Sequence, residues 1–140
     1  MRVHAMASKT QCTCTTLRQL ARLATLAYDE TLRPTGLRIT QLTVLRTLRE
    51  AGPLSVTRLA AEASLDRSTM GRNLDPLERM GLVRIEAGKS DGRERLAYLT
   101  PAGEEAVDAA LPYWNAAQTE IARRISPSTI AMLTRQIQQI

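Results

Sequence analysis

The side chains best placed for chemistry are cations and hydroxyls gathered on one short stretch, LDRSTMGRNLDPLERMG, from Leu65 to Gly81. Arg67, Ser68, Gly71, Arg72 and Asp75 fall on one face of a predicted helix. Met70, Leu74, Leu77 and Met80 recur at helical spacing and form the stripe expected to be buried. A face of arginine, serine, threonine and glycine suits contact with base edges and phosphates. Arginine forks match guanine or phosphate, while short hydroxyls and glycine let the backbone approach closely. The same pattern also describes an ordinary solvated helix, so its neighbours must decide. Enzymatic chemistry finds no foothold. His4 is the single histidine, and no G-x-S-x-G, P-loop or H-E-x-x-H motif occurs, so neither a nucleophile–base pair nor a metal site can be assembled. No cofactor and no metal are implied.

Local signals position this stretch. Asp66 is a good N-cap, because its carboxylate can accept from the first backbone N–H groups of the helix. Leu65 and Met70 flank it as a hydrophobic staple. Gly81 ends the helix, and Leu82 is placed to fold back on Leu77 as in a Schellman motif. Upstream, Ser55 caps a short helix, SVTRLAAEAS, with Leu59, Ala60 and Ala63 facing the core. Ser64 and Leu65 then make a tight link. Two short helices so joined, the second polar at its N-terminal end, outline a helix-turn-helix. After Gly81 the period becomes alternating: Val83, Ile85 and Ala87 against Arg84 and Glu86. GKSDGR (88–93) reads as a hairpin tip and Arg95–Leu99 as the returning strand. A hairpin directly after such a helix is a wing, and its tip carries Lys89, Arg93 and Arg95.

The flanks read as helices. Leu17, Leu20, Ala24, Ala27 and Tyr28 stripe a first helix from about Thr15 to Arg33, widened by Leu23 and Leu26. Thr40 is expected to cap a second helix ending near Glu50, with Leu42, Leu45 and Leu48 inward. Thr100-Pro101 opens a long helix to about Ile125, with a bend expected at Pro112. Ser126-Pro127 opens a last helix with Ile130, Leu133, Ile137 and Ile140 on one face. These outer stripes are too broad for one small domain to cover, so a two-fold dimer through Leu17, Leu20, Ile130, Leu133 and Ile137 is expected. With 140 residues and 19 Lys+Arg against 14 Asp+Glu, the chain suits an anionic partner. Phe is absent and aromatics make up 3%, which disfavours a base-stacking platform. No apolar run reaches membrane-spanning length and MRVHAMASK lacks the apolar centre of a signal peptide, so a soluble cytoplasmic protein is expected.

Three stretches carry a family resemblance: GLRITQL from Gly36, LSVTRLAAEASLDRSTMGRNLDPLERMGLVR from Leu54, and above all DGR (91–93) followed by LTPAG (99–103). In these the sequence resembles the MarR family of transcription regulators across residues 15–140. The resemblance implies a mainly α fold with a small β-hairpin wing: a winged helix-turn-helix in a triangular homodimer. Residues 1–14 would be a mobile tail, 15–50 and 101–140 the helical dimerisation region, and 54–100 the DNA-binding lobe. It further implies a regulator, as a repressor in the first instance, that binds pseudo-palindromic double-stranded DNA. Arg67, Ser68, Thr69 and Arg72 would meet phosphates and bases, with Asn73 a weaker candidate whose spacing also allows it to face inward. Arg93, oriented by Asp91, would enter the minor groove. Lys89, Arg84 and Arg95 would add phosphate contacts. Pro76 and Gly71 depart from the usual pattern, and Pro76 should bend the C-terminal half of the recognition helix. A winged helix that binds protein rather than DNA is the rival reading.

Such regulators commonly respond to a small, often aromatic, effector. Tyr28, Tyr113 and Trp114 suit either a pocket lining or the core. Cys12 and Cys14 lie at the start of the first helix, where the dipole favours thiolate. Three readings stand for them: inert thiols, an oxidant or electrophile sensor as in some relatives, or soft ligands to a metal shared with a second subunit.

Overall fold

A computed structural model of the chain describes residues 12–88 and 93–140. Polar side chains and proline set most helix starts. The first helix, α1, spans Thr13–Leu32, beginning two residues before the expected Thr15, and a 3₁₀ turn over Arg33–Thr35 follows it. Gly36, at φ 74°, then redirects the chain. α2 spans Ile39–Ala51, and its start corrects the sequence reading. Thr40 lies inside the helix. The cap is assembled from elsewhere: Asp29 of α1 accepts from the Ile39 N–H at 2.7 Å, and Gln41 reaches back to the Arg38 N–H at 3.0 Å.

The two-residue strand β1, Leu54–Ser55, precedes α3, Val56–Glu62, whose cap is the Ser55 hydroxyl accepting from Arg58 N–H. The recognition helix α4 spans Arg67–Arg79 and continues unbroken through Pro76. Its C-terminus is the expected Schellman motif. Leu82 N–H donates to Leu77 O at 3.0 Å and Gly81 N–H to Glu78 O at 2.9 Å, with Gly81 at φ 74°. β2, Val83–Ala87, and β3, Arg95–Leu99, pair antiparallel with Val83 opposite Leu99 and Ile85 opposite Ala97. β1 adds to the other edge of β3 through Leu54–Ala97, giving the order β1-β3-β2. Two residues are too few to show a period, so the sequence hid this strand. α5, Pro101–Arg124, runs unbroken past Pro112, and α6, Pro127–Gln138, starts on Ser126.

The core lies where α2, α3, α4, the sheet and α5 meet. Leu42, Leu45, Leu48, Leu59, Met70, Leu77 and Val107 are almost wholly buried there. Each such side chain contributes about 1.5–3 kcal/mol of transfer free energy. Met80, expected in the buried stripe, is 46% exposed, although Leu77 before it and Val83 after it are buried. Arg49 bridges Asp108 at 2.7 Å and Glu104 at 3.4 Å, and the Arg46 guanidinium lies 4.2 Å from the centre of the Trp114 ring, so α2 and α5 are tied. Tyr28 donates to Gln118, joining α1 to α5. This is a winged helix-turn-helix on a helical base.

A close approach holds the wing to that base. A Cβ on Gly103 would overlap the carbonyl oxygen of Leu82 and the Leu99 side chain, whereas one on Gly71 meets nothing within 4 Å. Gly103→Ala should therefore destabilise the fold by roughly 1–3 kcal/mol through overpacking. Gly71→Ala should stabilise it by about 1 kcal/mol through helix propensity. Denaturant melts of the two variants check this, and equal shifts would contradict it.

Candidate nucleic-acid interface

The N-terminal turn of α4 is built from its own side chains. Asp66 accepts from the Thr69 N–H at 2.8 Å and from the Thr69 hydroxyl at 3.0 Å. These bonds, the backbone one first, hold the Asp66 carboxyl below its ordinary pKa, with a smaller contribution from the nearby Arg72 charge. Thr69 is thus half-buried in the cap, while Arg67, Ser68, Gly71, Arg72 and Asp75 are exposed on the outer face. Asn73 is not on that face. It is 7% exposed, accepting from the Thr40 hydroxyl at 2.7 Å and donating to the Thr69 carbonyl at 2.7 Å. The reading of Asn73 as a base or phosphate contact is corrected: its polar atoms are spent inside the protein.

The ribbon stands beside α4. Thr57 of α3, Arg67 and Gly71 of α4, and Arg93 and Arg95 of the wing line one cleft of about 320 Å³. Cations that lie 26 and 28 positions from Arg67 in the chain thus share a single concave surface. Glu94 and Asp75 line it too, so the cleft is mixed in charge rather than uniformly basic. The hairpin narrows where Gly88 N–H donates to Glu94 O at 2.6 Å. Lys89 and Asp91 lie outside the described residues, and so does the expected pairing of Asp91 with Arg93.

Two connections fix the ribbon's angle to α4. The Glu78 carboxylate accepts from the Ile85 N–H of β2 at 3.3 Å. The Thr100 hydroxyl donates to Gly81 O at 2.6 Å and accepts from Gly103 N–H at 3.0 Å. Spacing alone gives no sign of the Glu78 contact, since it depends on the turn between α4 and β2. Arg84 differs from the other cations. Its guanidinium lies 2.7 Å from Glu86 and 4.8 Å from the centre of the Tyr98 ring, so its charge is matched within the ribbon.

At the other end of the molecule Cys12 and Cys14 are exposed free thiols. Cys12 immediately precedes α1, where the Thr15 backbone N–H, and after it the Thr15 hydroxyl and the Cys14 backbone N–H, favour the thiolate and lower its pKa. Among the described residues no cluster of His, Cys, Asp and Glu suits a metal ion. Of the aromatic effector candidates, Tyr28 and Trp114 are engaged in joining α1 and α2 to α5, and burial raises the Tyr28 pKa. A shallow cleft of about 500 Å³ at the α1–α2 junction is lined by Leu26, Asp29, Glu30, Arg33, Leu37 and Arg38, without any of the three aromatics.

The described helices include none long and apolar enough to cross a membrane. The MarR family profile matches residues 37–94. The M. tuberculosis transcriptional regulator MosR, solved in complex with DNA, is 34% identical with a TM-score of 0.79, over 92% of this chain and 96% of that one. The regulator YwoH of Bacillus subtilis is 34% identical over 89 residues, 64% of each chain. HosA of Escherichia coli is 30% identical over 86 residues, 61% of this chain and 64% of that one. The match therefore spans a little under two thirds of these two curated relatives. A helix-turn-helix with its wing on a helical base is the architecture this chain shares with the DNA-bound regulator MosR. This chain belongs to the MarR family of transcriptional regulators.

The Asp66 cap makes the recognition helix sensitive to acid. Because its folded pKa lies below the unfolded one, the cap's contribution is complete above the unfolded value near about pH 4. It is lost as pH falls through the lowered folded value. Asp66→Ser caps without titrating, so the melting temperature of the wild type should fall more steeply below pH 4 than that of Asp66→Ser. Parallel curves would contradict this.

Proposed function

We propose that the chain is a homodimeric repressor that binds pseudo-palindromic double-stranded DNA. The observation that carries this reading is the shared cleft of Arg67, Arg93 and Arg95 beside the exposed Arg72, with helix and wing held at one angle by Thr100 and Glu78. A protein-binding winged helix has no need of cations aligned on both elements. In the DNA complex, Arg67, Ser68 and Arg72 face the major groove, while Arg93 enters the adjacent minor groove, where a narrow A·T tract concentrates negative potential. Arg95 and Lys89 meet phosphates. Arg84 contributes less, because Glu86 already neutralises it. That MosR, 34% identical, was solved in complex with DNA supports duplex DNA as the partner here.

The dimer reading rests on exposed apolar surface. Leu17, Leu20, Ile130, Leu133 and Ile137 are each between 43% and 56% exposed in the single chain. Apolar patches of this kind mark interaction surfaces. Binding of such a pair to adjacent major-groove half-sites requires its two recognition helices to lie about 34 Å apart, one turn of duplex.

The signal we assign is an oxidant acting at Cys12. Its lowered pKa favours the thiolate, the form that would attack a hydroperoxide; the O–O bond breaks, the sulfur becomes a sulfenic acid, and the displaced alkoxide takes a proton to leave as an alcohol. Cys14, two residues on, is the candidate partner thiol.

Light scattering should give the mass of two chains. Gel shifts should show retention of duplex from the chain's own upstream region at low salt, with affinity falling steeply as salt rises. Arg67→Ala, Arg72→Ala and Arg93→Ala should each weaken binding, and loss of a phosphate contact should reduce the salt slope by about 1. Equal binding by wild type and Arg93→Ala, or no retention, would favour the protein-binding reading. Hydroperoxide should lower DNA affinity of the wild type but not of Cys12→Ser; an equal response would remove the thiol from the account.

A further inference from the structure

Asn73 is the one polar residue among the buried side chains of the described residues, and it joins α4 to α2. We propose that the Thr40–Asn73 hydrogen bond is a latch that sets the orientation of the recognition helix and so determines which DNA sequence it reads. This rests on the DNA-binding reading and extends it to a residue that touches no DNA.

Met70, Leu74 and Leu77 hold α4 to the core through apolar contact, which is favourable but non-directional. Apolar surfaces tolerate small rotations and slides at little cost. A hydrogen bond does not. The Thr40 hydroxyl donates to Asn73 Oδ1 at 2.7 Å, and a rotation of α4 that breaks this bond strands a buried amide oxygen. The latch therefore selects one orientation out of several of similar packing energy.

Its grip falls on the turn that carries the exposed cations. Asn73 Nδ2 donates to the Thr69 carbonyl at 2.7 Å, and Thr69 in turn gives its N–H and hydroxyl to Asp66. The chain of bonds runs from Thr40 through Asn73 and Thr69 to the N-cap, and Arg67, Ser68 and Arg72 sit on the turn it holds. On the other side, Asp29 of α1 caps Ile39, the neighbour of Thr40. The latch is thus anchored to the helical base.

Base reading and phosphate binding respond differently to a small rotation. Bidentate contacts to base edges need the side chain in the plane of the base, so misplacement removes them. Phosphate attraction is long-ranged and sequence-independent, so it survives. Loss of the latch should therefore reduce discrimination and leave general DNA affinity intact. A residue important only for stability would lower both together.

The test uses the full-length dimer and two probes: a duplex that the wild type selects from a random pool, and a scrambled duplex of the same length. Asn73→Leu keeps the volume and removes the polar group. It should melt within a few degrees of the wild type, bind the selected duplex at least tenfold more weakly, and bind the scrambled duplex within twofold of the wild type. Thr40→Val should do the same, and it carries the test alone if Asn73→Leu loses its helical circular dichroism. Thr40→Ser, which keeps the donor, should restore selected-duplex affinity to within threefold. The double variant should be no weaker than either single, because both remove one interaction. Wild-type affinity for the selected duplex in Thr40→Val, or an equal loss on both duplexes, would overturn the latch. A wild type that retains neither duplex would instead overturn the DNA-binding reading on which the latch rests.

Discussion

One hydroxyl, that of Thr100, holds three elements in a single geometry. It donates to the carbonyl of Gly81, where the recognition helix ends, and accepts from the N–H of Gly103, where the long helix begins. The Thr100 N–H meanwhile donates to Leu82 O at 3.1 Å, closing the wing's return strand against the same turn. The motif Leu99-Thr100-Pro101-Ala102-Gly103 thereby acquires a physical reading. A hydroxyl is needed because one atom must both give and take a hydrogen bond. Proline suits the first turn, where its missing N–H goes unused. Glycine is needed because the Leu82 carbonyl fills the space of a side chain. Without this joint only the Glu78–Ile85 contact would set the ribbon's angle to α4, and the surface shared by cations distant in sequence would loosen.

The arginines divide according to what surrounds them. Arg46 and Arg49 work inside the fold, against Trp114 and against Asp108 and Glu104, and Arg84 is matched by Glu86 and Tyr98 on the wing. Arg67, Arg72 and Arg95 have no ion pair among the described residues, and they stand on the outward face of the helix and ribbon. Composition gives a net charge of +5 and nothing more. It is the fold that separates cations holding the protein together from cations left for a polyanion.

The parts legible in the sequence are those fixed by neighbours in the chain. Ser55, Asp66, Thr100 and Ser126 each cap the helix that follows, and Gly81 ends one, because capping acts across three or four residues. Where the partner comes from another element, the sequence misleads. Thr40 looks like a cap, yet the oxygen that caps α2 belongs to Asp29, and Thr40 turns instead to Asn73. Asn73 has the chemistry of a base-reading residue and the position of a core one. Met80 keeps the period of the buried stripe yet is exposed, at the C-cap where the chain turns into β2. The outer stripes of α1 and α6 were legible as apolar, and they remain uncovered in the single chain.

The central claim is that helix and wing form one rigid reading surface, repeated by two-fold symmetry. Chemical footprinting on the wild-type-selected duplex tests it most directly, with guanine N7 methylation reporting the major groove and hydroxyl radicals the minor groove. The account predicts two major-groove protections separated by about one helical turn, each flanked on its outer side by a minor-groove protection. A single half-site, or major-groove protection with no flanking minor-groove signal, would contradict it.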